Sequence, residues 1–316
     1  MKYTEAVNAY ISACKAGNKS DKTIESYTRT LRFFGDFLSS RELDSLESVT
    51  PAVLLAWKEE QSAVLAVSSL RLYDTHLKGF FDFCVDIEFL NRSPYKKSLM
   101  DVKITDADRK EYKNVVTADQ FRMVLTNLHP SDMHVAAYAR NRAILALLMT
   151  SGVRCDSLCR ITPADLDWEN GTISLENAKG GKNGNVLFSD VAQKLVLEYL
   201  NSGLRPASCS DDEPLFGFFD QKHGGAWTRY SRTNISNVVE AAFRGFTSAE
   251  GFRSHAMRHS FASLLKDGGM KDGDISVLLM HSDGTGSAVT NRYIKRNNAS
   301  VFQKANAIFN RLAMLA

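Results

Sequence analysis

The most restrictive feature of this 316-residue chain is a break in its apolar periodicity. Pro94 closes a series of helical patterns, and Tyr95 to Lys113 is then polar, strongly charged and poor in large apolar side chains, which is the composition of an exposed linker. A chain interrupted there does not bury its apolar residues in one core, and at roughly 100 to 200 residues per domain its length also suits two. The predicted organisation is a helical domain over residues 1–100, a linker over 101–115 and a second domain over 116–316, ending in a helix over 299–314.

The first domain reads as helices only. From Ser20 to Ser39 the apolar positions Ile24, Tyr27, Leu31, Phe34 and Leu38 recur at helical spacing, with Ser20 or Asp21 placed as the cap. Thr50 and Pro51 supply an N-cap and a first-turn proline ahead of Leu54, Leu55 and Trp57. Further helices are predicted near Tyr3 to Cys14 and from about Ser68 to Phe89, the latter carrying Leu70, Tyr73, Leu77, Phe80, Phe81 and Cys84. In the second domain Thr117 and Gln120 have capping-box form, and a helix from about Tyr138 to Thr150 stops at Gly152. The period then changes: a Trp168-Glu169-Asn170-Gly171 turn, an alternating Thr172 to Leu175, a Gly- and Asn-rich turn and Val186 to Phe188 predict a small antiparallel sheet. Helical patterns return at Ser189 to Leu200 and continue intermittently. The expected fold class is mainly α with a small antiparallel β-sheet, an all-α domain followed by an α+β domain.

Composition excludes two alternatives. With 44% hydrophobic and 24% charged residues the chain is too apolar for disorder, and Ala143 to Met149, its longest uninterrupted apolar stretch, is far short of the roughly 18 residues that span a bilayer. Glu5, Asn8 and Ser12 interrupt the first residues, unlike a secretory signal, and five cysteines read as reduced thiols, so a cytoplasmic location is expected. The net charge of +3 is compatible with a polyanionic partner without requiring one.

The sharpest chemical cluster is His255-Ala256-Met257-Arg258-His259. If Ser254 caps a helix, His255, Arg258 and His259 share a face near its N-terminus, where an anion such as phosphate is favoured. A solvated basic face is the alternative. Arg154, after Gly152 and Val153, reads by itself as a charge partner for a helix end. Cys155 and Cys159 with His255 and His259 make two i, i+4 pairs that could supply zinc ligands, although no glutamate follows His255 as a zinc-protease helix would require. No metal and no cofactor are expected.

Taken in order, Thr150-Ser151-Gly152-Val153-Arg154, a hairpin bearing Lys179, His255-x-x-Arg258-His259, His281 and Tyr293 resemble the tyrosine recombinase (phage integrase) family, of the Xer-like two-domain type. Ser20 to Tyr27 also resembles its SAM-like core-binding domain, so the likeness covers nearly the whole chain. It implies a core-binding domain followed by a catalytic domain, and a site-specific recombinase or integrase that cuts and rejoins duplex DNA through a 3′-phosphotyrosyl intermediate without metal or ATP. In that scheme Arg154 and Arg258 clamp the phosphate, Tyr293 is the nucleophile and His255 takes its proton. Lys179, with Lys182 as competitor, protonates the leaving oxygen, and His281 bonds the phosphate or positions the tyrosine.

Double-stranded DNA is the implied partner, with Lys96, Lys97, Arg109, Lys110 and Lys113 available to its backbone. A homo-tetramer on two DNA sites is also implied, in which the stripe of Val301, Ala305, Ile308, Phe309 and Leu312 docks on a neighbouring subunit. A separate arm-site domain is not expected. The sequence departs from the family pattern at Ser157, where an acidic residue is usual, at Met280, where glycine usually precedes the second histidine, and in the added length of Ser282 to Ser287. A mobile-element recombinase is the favoured role. The alternatives are a Xer-type chromosome resolvase, an invertase and a DNA-binding protein of the same fold that has lost catalysis.

Overall fold

A computed structural model describes residues 1–102, 115–126, 135–178, 182–244, 254–280 and 298–314. The chain divides into two compact units, Met1–Glu111 and Tyr112–Ala316.

The first unit holds α1 (Tyr3–Ala16), α2 (Asp21–Ser39), α3 (Pro51–Ser62), α4 (Val67–Asp86) and a single turn, α5 (Lys97–Met100). The capping predicted from sequence is present: Ser20 Oγ accepts from the Thr23 amide at 3.3 Å, and Thr50 Oγ1 from that of Val53 at 3.3 Å. Phe34, Trp57, Phe80 and Phe81 are fully buried, and Phe34 meets Trp57 edge to face with ring centroids 5.5 Å apart. Rings of this size contribute roughly 1.5–3 kcal/mol each on burial, which makes this aromatic cluster the anchor of the helices around it.

The segment after Pro94 departs from the reading of an exposed linker. The Tyr95 hydroxyl donates to Asp74 Oδ2 at 2.7 Å, Lys58 Nζ donates to the Leu99 carbonyl at 3.2 Å, and Met100 is buried in the first unit's core. One methionine among charges gives no periodicity, so the sequence does not show this attachment. Residues 103–114, including Arg109, Lys110 and Lys113, lie outside the described residues.

The second unit is built on α7 (Val135–Ser151), whose apolar run Ala143 to Met149 is completely buried. Around it lie α6 (Ala118–Thr126), α8 (Cys155–Leu158), α9 (Asp190–Leu200), α10 (Arg232–Phe243), α11 (Ser254–Asp267), α12 (Asp272–Leu278) and α13 (Asn298–Met314). The capping box closes as predicted, with the Thr117 amide donating to Gln120 Oε1 at 3.0 Å and the Gln120 amide to Thr117 Oγ1 at 3.2 Å. The predicted sheet has the antiparallel order β1 (Leu166–Asp167), β2 (Thr172–Ala178), β3 (Lys182–Leu187), with Ile173 opposite Val186. Sequence reasoning did not predict a second, two-stranded sheet, β4 (Gly217–Asp220) and β5 (Ala226–Arg229). Its consecutive Phe218 and Phe219 are both exposed, so the alternation that marks a half-buried strand is missing.

In the single chain the last helix packs on its own unit. Val301, Phe302, Ala305, Ile308 and Phe309 on α13 are buried in the core of their own unit. Phe309 stacks on Phe261 with centroids 5.7 Å apart, and Asn310 Nδ2 donates to Asp190 Oδ2 at 2.7 Å. The stripe and its spacing were legible; which surface it covers depends on the shape left by α6, α9 and α12. Among the described residues no helix is long and apolar enough to cross a membrane, and all five cysteines are free. Phe309→Ala should therefore lower the stability of the second unit by about 3–5 kcal/mol, the usual result of emptying a buried ring site. Denaturant unfolding followed by circular dichroism checks this, and an unchanged midpoint would contradict packing in cis.

Candidate active site

Two buried hydroxyls finish α7. Thr150 Oγ1 donates to the Ala146 carbonyl at 2.8 Å, and Ser151 Oγ donates to that of Leu147 at 2.6 Å while accepting from the Val153 amide at 3.2 Å. Gly152 follows with φ +61°, and a Cβ there would lie 2.6 Å from Phe261 Cδ1. Conformation and space both demand glycine at this step. The chain then turns Arg154 into the N-cap position of α8, half-buried.

Arg258 projects from α11 and is 8% exposed. Its guanidinium donates to the carbonyls of Gly152 and Leu279, the residues immediately after α7 and α12. Carbonyls at helix C-termini lack intrahelical partners and carry partial negative charge, so they suit a buried cation. Burial, and then the like charge of Arg154, pull the Arg258 pKa down to about 10, which leaves it protonated at neutral pH. Among the described residues these two carbonyls are the hydrogen-bond partners of its guanidinium, which carries five N–H donors in all. Two guanidinium groups held in each other's field bind a tetrahedral oxyanion well, through charge-assisted and bidentate bonds.

His255, exposed on the first turn of the same helix, has its ring centroid 4.9 Å from that of His259. Burial, the neighbouring His255 and Arg258 all lower the His259 pKa and favour its neutral imidazole. Ser260 was missed by sequence reasoning. Its buried Oγ donates to the Ala256 carbonyl at 2.9 Å and accepts from the Val116 amide at 2.8 Å, tying the start of the second unit to α11.

The zinc alternative is not assembled: among the described residues no group of three or more His, Cys, Asp or Glu side chains could hold a metal ion. Cys155 Sγ instead lies 3.9 Å from the Arg232 carbonyl, at the start of α10. Ser157 is buried, and the neighbouring Asp156 pairs with Arg232 at 3.2 Å, an exposed contact worth little by itself. Lys182 opens strand β3 rather than lying in the turn. Lys179, His281 and Tyr293 lie outside the described residues. The structure thus brings Arg154 and Arg258 together and sets His255 on the helix that carries Arg258.

Comparison with known proteins adds to this geometry. Residues 114–300 match the model of the phage integrase family, and residues 7–87 match that of the phage integrase N-terminal SAM-like domain. Among curated proteins, the tyrosine recombinase XerC of Bacillus pumilus is 25% identical over 271 residues, covering 84% of both chains. The tyrosine recombinase XerC of Lactobacillus delbrueckii subsp. bulgaricus is 29% identical over 220 residues, covering 69% of this chain and 70% of that one. Among solved structures, a lambda integrase dimer bound to a core site superposes with a TM-score of 0.68 at 15% identity, covering 90% of this chain and 97% of that one. The XerH site-specific recombinase bound to its difH substrate gives 0.63 at 18% identity, with 96% and 82% covered. At such identities these structures establish a shared fold.

The thiol next to Arg154 offers an independent check of the local electrostatics. A hydrogen bond from Cys159, with further help from Ser254 and the Arg232 charge, brings the Cys155 pKa down to about 7, whereas burial pushes Cys84 up to about 12. The thiolate is the reactive form. Alkylation of Cys155 by iodoacetamide, followed by peptide mass spectrometry, should therefore rise through about pH 7 and level off above it, while Cys84 stays unmodified. A Cys155 midpoint at the ordinary thiol value near 8.5 would contradict the arrangement.

Proposed function

Because the chain belongs to the phage integrase family, the tyrosine recombinases, we infer that it cuts and rejoins duplex DNA at specific sites through a 3′-phosphotyrosyl intermediate. The observation that carries this reading is the buried Arg258, held beside Arg154 by the carbonyls of Gly152 and Leu279. Attack on a phosphodiester concentrates negative charge on its non-bridging oxygens, and a preorganised pair of guanidinium groups stabilises that charge. A metal ion is then not required for the role, and no cofactor is implied.

The remaining steps follow from the other proposed residues. The Tyr293 phenol gives its proton to His255 and attacks phosphorus. The bond to the 5′ oxygen breaks, and Lys179 protonates that oxygen as it leaves. His281 bonds the phosphate or positions the tyrosine. A 5′ hydroxyl attacking the phosphotyrosyl link reverses the sequence and rejoins DNA, so the bond energy is conserved and ATP is not consumed.

Double-stranded DNA is the proposed partner, and the related recombinases whose structures were solved on core-site and difH DNA support it. The proposed assembly is a homo-tetramer on two sites in the cytoplasm. With α13 seated in its own unit in the free chain, any exchange of that helix between subunits would follow assembly. A mobile-element recombinase is the favoured role. Likeness to chains named XerC supports a Xer-type chromosome resolvase as the second reading.

Trapping on a library of randomised, nicked duplexes tests the chemistry and identifies the site at once. The wild-type chain should form a detergent-resistant complex whose DNA can be sequenced, and Tyr293→Phe should bind the recovered duplex yet form none. Covalent product undiminished in Tyr293→Phe would reject the nucleophile. On the same duplex, Arg154→Lys and Arg258→Lys should each slow cleavage about 10²- to 10³-fold with much smaller changes in binding. Full cleavage rates in both would remove the clamp.

A further inference from the structure

Met280 adopts φ +50°, a left-handed conformation that glycine takes freely and a side chain with a Cβ does not. Its backbone is fixed by its own amide, which donates to the Val277 carbonyl at 3.0 Å at the end of α12. A methionine kept at such a point needs compensation, and the structure supplies it at Gly184. A Cβ on Gly184 would lie 2.6 Å from Met280 Cε and 3.6 Å from its sulfur, so the thioether occupies the place of the missing side chain.

The two ends of this contact belong to different parts of the site. Gly184 lies on β3, opposite Leu175 on β2 and two positions from Lys182, on the hairpin whose connecting segment contains Lys179. On the other side, the peptide preceding Met280 presents the Leu279 carbonyl to Arg258, and Leu279 Cδ2 would touch a Cβ placed on Gly152 at 3.0 Å. One short stretch, Leu279-Met280, therefore touches the arginine, the glycine that follows α7 and the lysine-bearing hairpin.

We propose that Met280 is a positioning residue, whose thioether seated over Gly184 holds the β2–β3 hairpin, the one whose connecting segment carries the general-acid lysine, in register with Arg258. The proposal rests on the reading of that lysine as proton donor to the leaving 5′ oxygen. A flexible, polarisable side chain suits the task because it fills an irregular gap between a strand and a helix end without fixing either rigidly. Small losses of register are costly in proton transfer: general acids contribute about 10²- to 10⁴-fold, and a misplacement near 1 Å can cost as much as 10²-fold.

The test uses the full chain and the duplex recovered by trapping, in its natural form and with sulfur in place of the bridging 5′ oxygen. A thiolate leaves without a proton, so defects confined to the acid disappear on the sulfur substrate. Met280→Gly, which relaxes the backbone, should fold normally yet cleave the natural duplex at least about tenfold more slowly, and it should regain near wild-type rate on the sulfur duplex. Gly184→Val, which displaces the methyl group, should show the same pattern, and the double variant should be no worse than either alone. Arg258→Lys should stay slow on both substrates.

Equal slowing of Met280→Gly on both duplexes, or no slowing on either, would overturn the proposal. Lys179→Ala and Lys182→Ala serve as controls. If one of them is rescued by sulfur while Met280→Gly is not, the positioning role fails and the general acid stands. If neither is rescued, the general-acid reading fails and the proposal falls with it.

Discussion

An arginine that is 8% exposed, Arg258, is the constraint around which the second unit is arranged. Removing a cation from water is costly unless its donors find partners, and Arg258 finds them in the carbonyls of Gly152 and Leu279. Those carbonyls follow two different helices, so satisfying one side chain fixes α7, α11 and α12 at a common point. Arg154, two residues beyond Gly152, is delivered by the same turn. In the proposed mechanism the expense of burying one arginine beside another becomes preorganisation, because the cation is held in place before any phosphate arrives.

Residue identity showed part of this and backbone geometry the rest. Gly152-Val153-Arg154 after an apolar helix, and His255, Arg258 and His259 at helical spacing, were readable because each is a pattern of side chains. The carbonyl partners of Arg258 were not, since every residue has a carbonyl and only the fold decides which ones converge. Ser260 was invisible for a similar reason: a serine within an apolar helix face carries no mark of the Val116 amide it receives from 144 positions away. Met280 was visible as an odd residue at a glycine position, but its compensation at Gly184 lies on a strand nearly a hundred residues earlier.

The fold divides in the same way. Helices with a regular apolar stripe and a capping residue, such as α2 behind Ser20 and α6 behind Thr117, were legible to within a few residues. The β4–β5 hairpin was not, because Phe218 and Phe219 lie exposed on opposite faces of a short ribbon. Isolated apolar residues such as Tyr95 and Met100, set among charges, look solvated until a surface exists to receive them. The stripe of α13 required burial, and its spacing could not say whether the receiving surface belonged to the same chain.

The division between legible and hidden features bears on how the proposed chemistry would be controlled. Arg154 and Arg258, the proposed phosphate clamp, sit just beyond α7 and on α11, and the carbonyls that follow α7 and α12 hold Arg258. Lys179 and Tyr293, the proposed acid and nucleophile, instead fall between β2 and β3 and between α12 and α13 in the chain. If the proposed mechanism holds, the clamp and the proton donor and nucleophile come from different parts of the chain, so DNA binding and DNA cutting rest on different residues. In that reading cutting depends on bringing the donor and the nucleophile into register with the arginines. Contacts such as Met280 on Gly184 can do this because they join a connecting element to the same helix end that holds Arg258. In such a design the helix ends hold the groups that stabilise the reacting phosphate and the contacts between elements bring donor and nucleophile to it, so substitutions at either kind of position should slow cleavage more than they weaken binding.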